Sequence, residues 1–168
     1  VLEYISRYFD ITVFYFNPNI SPKEEYEKRV KEVKRLISEM PSCTEVKFIE
    51  GRYEPSEFFE AAKGLENAPE GGERCLKCFE LRLNEAAKCA ADIGAEYVCT
   101  TLTISPLKNA DNLNRIGEEA AEKYGVKWLP SDFKKKNGYK RSIELSKEYD
   151  LFRQNYCGCV FSKRDSNV

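Results

Sequence analysis

The sequence predicts an α/β fold with a parallel sheet, because strand-like and helix-like segments alternate along its 168 residues. The first strand-like segment, residues 11–16, is a continuous apolar and β-branched run that is typical of a strand buried on both faces. A helix-like segment follows, with apolar residues at helical spacing up to about Met40. Since crossovers between parallel strands are right-handed, we expect a doubly wound sheet with helices on both faces.

The first two predicted helices differ in how they begin. Residues 1–9 form an amphipathic pattern typical of the second half of a helix, and neither a capping residue nor an initiator methionine precedes it. We therefore expect the sequence to be a fragment. After a turn at residues 17–20, a helix is predicted to start with Ser21 as its cap, because a proline and a glutamate follow at first-turn positions.

The remaining elements alternate in the same way. Three more strands are predicted, at residues 46–49, 97–102 and 126–129. Four more helices are predicted, at residues 55–63, 73–93, 109–124 and 139–149, with Asn109 as a cap and Gly94 and Gly125 as terminators. The last segment, residues 151–168, is expected to be irregular. The loops that follow strands are expected to share the carboxyl edge of the sheet, where such folds bind ligands; they are residues 17–20, 100–108 and 131–136.

The amino-acid composition indicates what kind of protein this is. Hydrophobic residues make up 42% of the chain, which is enough for one packed core and predicts a single α/β domain over residues 1–168. No apolar run is long enough for a membrane helix and no signal peptide is present, so we expect a cytoplasmic protein. The net charge of −1 means that any nucleic-acid contact must come from local clusters. Histidine is absent, so catalysis has to use cysteine, carboxylate, lysine or tyrosine side chains, or a metal.

Seven cysteines in a chain without export signals indicate metal ligands or redox groups rather than structural disulfides. They are Cys43, Cys75, Cys78, Cys89, Cys99, Cys157 and Cys159. Cys43 and Cys99 are most simply core thiols, and Cys89 is expected to be the same. The other four form two close pairs.

Cys75 and Cys78 stand at the start of the helix predicted over residues 73–93. Their spacing puts both sulfurs on one face of the first turns. There the exposed N–H groups and the helix dipole favour thiolates, which are the form that binds iron or zinc. Arg82 lies one turn further along the same stripe. The alternative is a pair of small buried residues on a packed helix.

Cys157 and Cys159 flank Gly158 in the motif LFRQNYCGCVF. A disulfide between them closes a very small ring, whose backbone strain the glycine relieves. A strained or exposed disulfide is easily reduced, so the pair is a candidate redox couple. The alternative is a pair of metal ligands or buried thiols. Four cysteines in two close pairs suit a structural zinc ion and an iron–sulfur cluster equally well.

A third candidate is a basic stretch with interleaved aromatic residues, made up of Lys134, Lys135, Lys136, Lys140 and Arg141. Lysines could neutralise phosphates there while the aromatic rings stack on bases. A solvated loop and helix start is the alternative. The polar residues within residues 100–109 could hold a phosphate or nucleoside, or could serve as turn and cap residues.

Six motifs occur in the order found in a known protein family. They are NPNI (17–20), SPKEEYEKR (21–29), ERCLKCFELRL (73–83), TTLTISPLKN (100–109), SDFKKKNGYKRSIELSKE (131–148) and FRQNYCGCVFS (152–162). Together they extend over nearly the whole chain. In this combination the sequence resembles the cobalamin-independent epoxyqueuosine reductases.

This resemblance implies a doubly wound fold of the adenine-nucleotide α-hydrolase type. It implies the last step of queuosine biosynthesis, in which the epoxide oxygen of epoxyqueuosine at the wobble position of tRNA is removed and an alkene is left. It further implies a 4Fe-4S cluster with Cys75 and Cys78 as two ligands, an additional iron ion nearby, and Cys157 and Cys159 as a redox-active pair. The implied partners are tRNA carrying epoxyqueuosine and an electron donor. Binding to DNA or to a membrane is not expected.

The sequence departs from the family at one point. The family has a Cys-Cys-x-Pro motif at the end of a central first strand, which supplies the other two cluster ligands, and neither motif nor strand is found here. We therefore expect a groove in the sheet, an incomplete cluster site and no activity for the fragment itself. Two other hypotheses stay open: a nucleotide-activating tRNA-modifying enzyme of the same fold group, such as a thiolase, and a zinc-stapled RNA-binding module.

Overall fold

A computed structural model of the chain describes residues 1–41 and 45–165. Its α-helices are α1 (Leu2–Ile5), α2 (Lys23–Glu39), α3 (Pro55–Ala61), α4 (Glu73–Asp92), α5 (Ala110–Tyr124), α6 (Gly138–Glu148) and α7 (Ser162–Asp165). Its strands are β1 (Thr12–Tyr15), β2 (Lys47–Glu50), β3 (Tyr97–Val98) and β4 (Lys127–Trp128), and a 3₁₀ helix covers Thr101–Ile104. The predicted α/β class is confirmed.

The strands form two parallel pairs rather than one sheet. β1 pairs with β2, with Thr12 opposite Lys47, and β3 pairs with β4 over two residues. Within the described residues no ladder joins the two pairs, so the expected single doubly wound sheet is not confirmed. Strand β1 is half-buried along its length, so the expected burial on both faces is wrong, and its ladder partner among the described residues is β2.

The third strand is shorter than the predicted segment 97–102. The hydroxyl oxygen of Thr100 accepts a hydrogen bond from the backbone N–H of Leu102, at 3.2 Å. This contact caps the 3₁₀ helix and turns the chain out of the strand direction after Val98. Propensity does not anticipate the turn, because threonine and valine also suit a strand.

Two helix starts differ from the prediction. Helix α1 is only four residues long, and Phe9 packs edge-on against the ring of Tyr97, with ring centroids 5.7 Å apart. Helix α2 has Pro22 at its N-cap and no side-chain cap, so the predicted capping role of Ser21 is wrong. The backbone N–H of Ser21 instead donates to the carbonyl oxygen of Gly158 at 3.0 Å. This bond ties the start of α2 to the C-terminal segment.

Other helix ends lie where the sequence predicts them. The side chain of Asn109 accepts a hydrogen bond from the N–H of Asn112 at 2.9 Å, which caps α5. Gly125 closes α5 with a left-handed backbone at φ 72°, and Gly94 follows α4 at φ 68°. The C-terminal segment, expected to be irregular, contains the short helix α7.

Helix α4 contributes to two apolar cores. The larger one lies between α4 and α5 and is formed by Phe79, Leu83, Ala87, Leu113, Ile116 and Ala120. In the smaller one, Cys78 of α4 packs with Phe58 of α3 and with Cys159 and Phe161 of the C-terminal segment. Helix α4 therefore holds the C-terminal cysteines beside its own first turns. In the described part of the chain, no helix has the length and apolar character needed to cross a membrane.

Candidate active site

Both cysteine pairs line one cavity at the start of α4. Its cysteines are Cys75, Cys78, Cys157 and Cys159, and the cations Arg74, Arg82 and Lys108 lie around them. The internal volume is about 20 Å³, which is room for about one water molecule. Any larger occupant therefore requires the lining side chains to move apart.

The first cysteine pair occupies neighbouring turns of α4. The N–H of Gly71, just before the helix, donates to the sulfur of Cys75 at 3.3 Å. Burial raises the pKa of the Cys78 thiol, while the guanidinium of Arg82 acts in the opposite direction. The predicted preference for a thiolate at the helix start is therefore outweighed by desolvation at Cys78.

Two arginines fix the surroundings of this pair. Arg82 donates a hydrogen bond to the side-chain oxygen of Asn17, in the loop that follows β1. Arg74 is buried and donates to the carbonyl oxygens of the loop before α4, including that of Glu66 at 3.0 Å. Its guanidinium also lies over the ring of Phe161, 5.1 Å from the ring centroid. Arg74 and Arg82 thus bring positive charge to the cavity wall.

The second pair is shaped by Gly158. This glycine has φ 103°, and a Cβ atom there would lie 2.7 Å from Cγ1 of Ile20. Only glycine fits this position without strain. Both flanking thiols are free, and the N–H of Cys159 donates to the sulfur of Cys157 at 3.5 Å. The turn therefore brings the two thiols close together without a disulfide bond between them.

The two thiols of this turn are electrostatically unequal. The hydrogen bond from the Cys159 thiol lowers the pKa of Cys157, to about 5, against the effect of burial. Ser162 and the ammonium of Lys108 act in the same direction. The same hydrogen bond raises the pKa of Cys159, and burial adds to the increase. Cys157 is therefore the thiolate of the pair and Cys159 keeps its proton.

Arg29 of α2 is a site residue that sequence reasoning missed. Its side chain is 4% exposed and donates to the carbonyl oxygen of Cys157 at 3.0 Å and to that of Tyr156 at 3.4 Å. Glu25 and Gln154 bind the same guanidinium, at 2.7 Å and 2.6 Å. No local sequence signal identifies it, because the C-terminal partners lie 125 or more positions away.

The donor set suits a metal group in part. Cys75 and Cys78 offer two soft thiol ligands beside cationic side chains, which fits two of the four positions of a cysteine-bound iron–sulfur cluster. Over residues 1–41 and 45–165, no group of three or more histidine, cysteine or acidic side chains is arranged to hold a metal ion.

The basic stretch divides into paired and exposed residues. Lys134 and Lys135 form ion pairs with Asp132, at 2.8 Å and 3.2 Å, and Lys134 also donates to the carbonyl oxygen of Lys108. Arg141 is bound by three carboxylates, Glu3, Glu144 and Glu148. Lys136 and Lys140 are exposed to solvent. The stretch thus lies next to the Lys108 side of the cavity.

The polar side chains between residues 100 and 109 have different roles. Thr100 and Asn109 cap helices, and Thr103 is buried with its hydroxyl 3.2 Å from that of Ser131. Lys108 is the residue of this segment that reaches the cavity. The turn-and-cap alternative therefore accounts for Thr100 and Asn109, whereas Thr103 bonds to a residue distant in sequence.

Cys89 and Cys99 do not line the cavity. Cys89 and Cys99 are half-buried free thiols, and burial raises the pKa of Cys99 to about 11. Cys43 lies outside the described residues.

Comparison with known proteins gives one consistent result. A family model described as epoxyqueuosine reductase QueH matches residues 1–165. The chain is 46% identical over 169 residues to epoxyqueuosine reductase QueH of Streptococcus pyogenes serotype M1, covering 99% of this chain and 66% of that protein. It is 47% identical to the Staphylococcus epidermidis protein of the same name, covering 99% and 72%, and 39% identical to that of Thermotoga maritima, covering 91% and 79%. The chain belongs to the epoxyqueuosine reductase QueH family.

Proposed function

We propose that this chain carries the redox site of an epoxyqueuosine reductase. The reaction is the reduction of epoxyqueuosine to queuosine at the wobble position of tRNA, the last step of queuosine biosynthesis. Membership of the QueH family supports the activity. The observation that carries the assignment to particular residues is that Cys75, Cys78, Cys157 and Cys159 line one cavity.

The electron balance of the reaction suits a pair of thiols. Converting an epoxide into an alkene takes up two electrons and two protons, and the oxygen leaves as water. With Cys157 as the thiolate, oxidising the pair to a disulfide releases two electrons and the one proton held by Cys159, and the second proton of the reaction is taken from water. One turnover therefore consumes one dithiol, and an external reductant must restore it.

The unequal thiols give each cysteine a distinct task. Cys157, as the thiolate, holds negative charge at the cavity, and the cation of Lys108 stabilises it there. Cys159 keeps its proton in the hydrogen bond to Cys157, so one proton is stored within the pair. Packing with Phe58 and Phe161 buries Cys159, while Cys157 at the edge of the same cluster is half-buried.

Cys75 and Cys78 are proposed as two ligands of a 4Fe-4S cluster. The N–H of Gly71 and the guanidinium of Arg82 would stabilise negative charge on these two sulfurs. When bound, the cluster supplies electrons one at a time, and an additional iron ion supplies Lewis acidity toward the epoxide oxygen.

The tRNA is proposed to approach along the basic stretch. Lys136 and Lys140 are exposed, so their ammonium groups can contact phosphates of the anticodon loop. Lys134 joins this stretch to the cavity through the carbonyl oxygen of Lys108. Arg141 supports the surface by fixing α6 to α1 through Glu3. A cytoplasmic location follows from a tRNA substrate.

We also propose that the two strand pairs belong to one doubly wound sheet of the adenine-nucleotide α-hydrolase type. Both pairs are parallel, and in each pair the two strands are connected through a helix. The loops after β1 and β3 supply Asn19 and Lys108 to the same cavity, as expected for the carboxyl edge of such a sheet. A crystal structure of a full-length family member with the two pairs packed face to face would contradict this.

The function is tested by replacing Cys157 with serine in a full-length protein that contains this chain, with Cys89→Ser as the matched control. Queuosine in the tRNA is measured by nucleoside mass spectrometry, and iron and sulfide are measured in the same anaerobic preparation. We expect Cys157→Ser to abolish queuosine formation with iron and sulfide retained, and Cys89→Ser to be active. Full activity of Cys157→Ser would end the dithiol proposal, zinc in place of iron would favour the RNA-binding module, and consumption of ATP would favour a nucleotide-activating enzyme.

A further inference from the structure

Arg29 is a buried charge that the proposed reaction does not use. A buried guanidinium is costly unless its donors are paired, and Glu25 neutralises it from one turn away on α2. Its other donors all point to one place, the backbone and side chains of residues 154–157. The guanidinium of Arg29 therefore binds the segment that leads into the turn at residues 157–159, called the redox turn below.

The contacts of Arg29 define the orientation of two peptide groups. It binds the carbonyl oxygens of Tyr156 and Cys157, which lie on either side of the Cys157 Cα atom. It also lies against Gly158, where a Cβ atom would come within 3.0 Å of Nη1. From the other side, the carbonyl oxygen of Gly158 accepts the N–H of Ser21 at 3.0 Å. Three consecutive carbonyl groups are thus held while both thiols are free.

Closing a disulfide between Cys157 and Cys159 brings the two sulfurs to about 2.05 Å, in a small ring that includes the peptide groups on both sides of Gly158. We expect ring closure to reorient these peptide groups and to weaken their hydrogen bonds to Arg29. Hydrogen bonds from a charged donor are stronger than those between neutral groups, so their loss opposes ring closure. The reduced turn is therefore stabilised relative to the oxidised one.

We propose that Arg29 is the positioning residue that holds the turn at residues 157–159 in its dithiol conformation and thereby sets the reduction potential of the pair. The inference rests on the proposed function, because it takes Cys157 and Cys159 as the redox couple. The equilibrium is the transfer of two electrons and the Cys159 proton from the pair to oxidised glutathione, which takes up one further proton from the buffer and gives two molecules of reduced glutathione beside the protein disulfide.

The test measures this equilibrium in the chain and in Arg29→Lys. Each protein is incubated over a series of glutathione ratios, quenched with acid, alkylated and digested with trypsin. Residues 154–163 form one tryptic peptide that contains both cysteines and no other, so its disulfide form is identified by the absence of alkylation. Lysine keeps the charge but loses the planar fork of donors. We expect the disulfide to be favoured by about tenfold or more, a potential lower by about 30 mV.

Arg35→Lys is the matched control. Arg35 also lies on α2, pairs with Glu32 and donates to a backbone carbonyl oxygen, that of Tyr149 at the end of α6, at 3.0 Å. It does not touch the residues of the redox turn in the described structure. We expect Arg29→Lys to lose more thermal stability than Arg35→Lys, because Arg29 is the more buried of the two, and the potential to change in Arg29→Lys alone.

A second variant covers the case in which Arg29→Lys does not fold. Gln154→Ala removes one exposed partner of Arg29 and leaves the guanidinium in place. We expect a shift of about threefold in the same direction, which corresponds to loss of one hydrogen bond.

The outcomes separate the two proposals. If the unmodified chain forms no disulfide in this peptide at any glutathione ratio, the redox pair itself is wrong. If the disulfide forms and Arg29→Lys, or Gln154→Ala in its place, has the same potential as the unmodified chain, the positioning role of Arg29 is wrong while the pair stands. An equal shift in Arg35→Lys also overturns the role, because it would reflect general loosening of the segment.

Discussion

The sulfur of Cys157 and the hydroxyl oxygen of Ser162 lie 3.1 Å apart. The same hydroxyl is 3.0 Å from the carbonyl oxygen of Cys159, so its single proton has two acceptors within reach. When Cys157 is a thiolate, the charged sulfur is the stronger acceptor and receives this proton. Helix α7 begins at Ser162 and thus contributes a charge-stabilising group to the proposed redox pair.

Replacing Ser162 with alanine should therefore raise the pKa of Cys157. One pKa unit corresponds to about a tenfold smaller thiolate fraction below the pKa, so we expect alkylation of Cys157 by iodoacetamide at acidic pH to slow by about tenfold. The rate is followed on the tryptic peptide of residues 154–163. Ser38→Ala, which removes an exposed hydroxyl bound to the carbonyl of Arg35, is the control and should react as the unmodified chain does. An unchanged rate in Ser162→Ala would show that the hydroxyl does not stabilise the thiolate.

The lowered pKa of Cys157 also predicts how stability varies with pH in the metal-free, reduced chain. The folded-state pKa is about 5 and the ordinary value is 9.0, so the folded state binds fewer protons between them. This contribution to stability is present above pH 9 and is lost as the pH falls toward 5. We expect the free energy of unfolding of the chain, relative to Cys157→Ser, to increase with pH over this range. Urea unfolding at several pH values measures it, and a constant difference would contradict a depressed pKa.

Gly158 should tolerate no side chain. In Gly158→Ala the new methyl group would meet Ile20 and the guanidinium of Arg29, and the backbone at φ 103° adds strain. We expect a loss of about 2–4 kcal/mol in the free energy of unfolding, measured with urea.

Gly64→Ala provides the comparison. Gly64 also has a positive φ, 78°, but a Cβ atom there would meet nothing within 4 Å. Gly64→Ala should therefore lose about 1 kcal/mol of the free energy of unfolding, from backbone strain at positive φ alone. Equal losses in the two variants would mean that the contacts of Gly158 are unimportant.

The exposed lysines are predicted to contact tRNA phosphates. Replacing Lys136 and Lys140 with alanine together should weaken tRNA binding and reduce the dependence of log Kd on log salt concentration by about two charges. Fluorescence titrations at several salt concentrations measure both quantities. Lys88→Ala, on the exposed side of α4, is the control. A salt dependence equal to that of the unmodified protein would place the tRNA elsewhere.

Local patterns in the sequence determined the order of the main elements and some of their ends. The caps at Asn109 and Gly125 were predictable because a cap is a hydrogen bond or backbone angle within a few residues. The same holds for the close spacing of each cysteine pair and for the glycine between Cys157 and Cys159. Where local signals competed, as at Thr100, the strand prediction extended too far, because a side chain that suits a strand also caps a turn.

Tertiary structure decided which of these residues meet. It brought the pair on α4 to the pair near the C-terminus, divided the strands into two parallel pairs, and bound Arg141 to Glu3 from the other end of the chain. It also gave Arg29 its partners. These contacts join residues far apart in sequence, and their free energy depends on burial and on the geometry of distant groups. Periodicity and residue spacing do not indicate burial or the positions of distant groups. The sequence therefore determined which reactive groups are present, while packing decided how they are arranged.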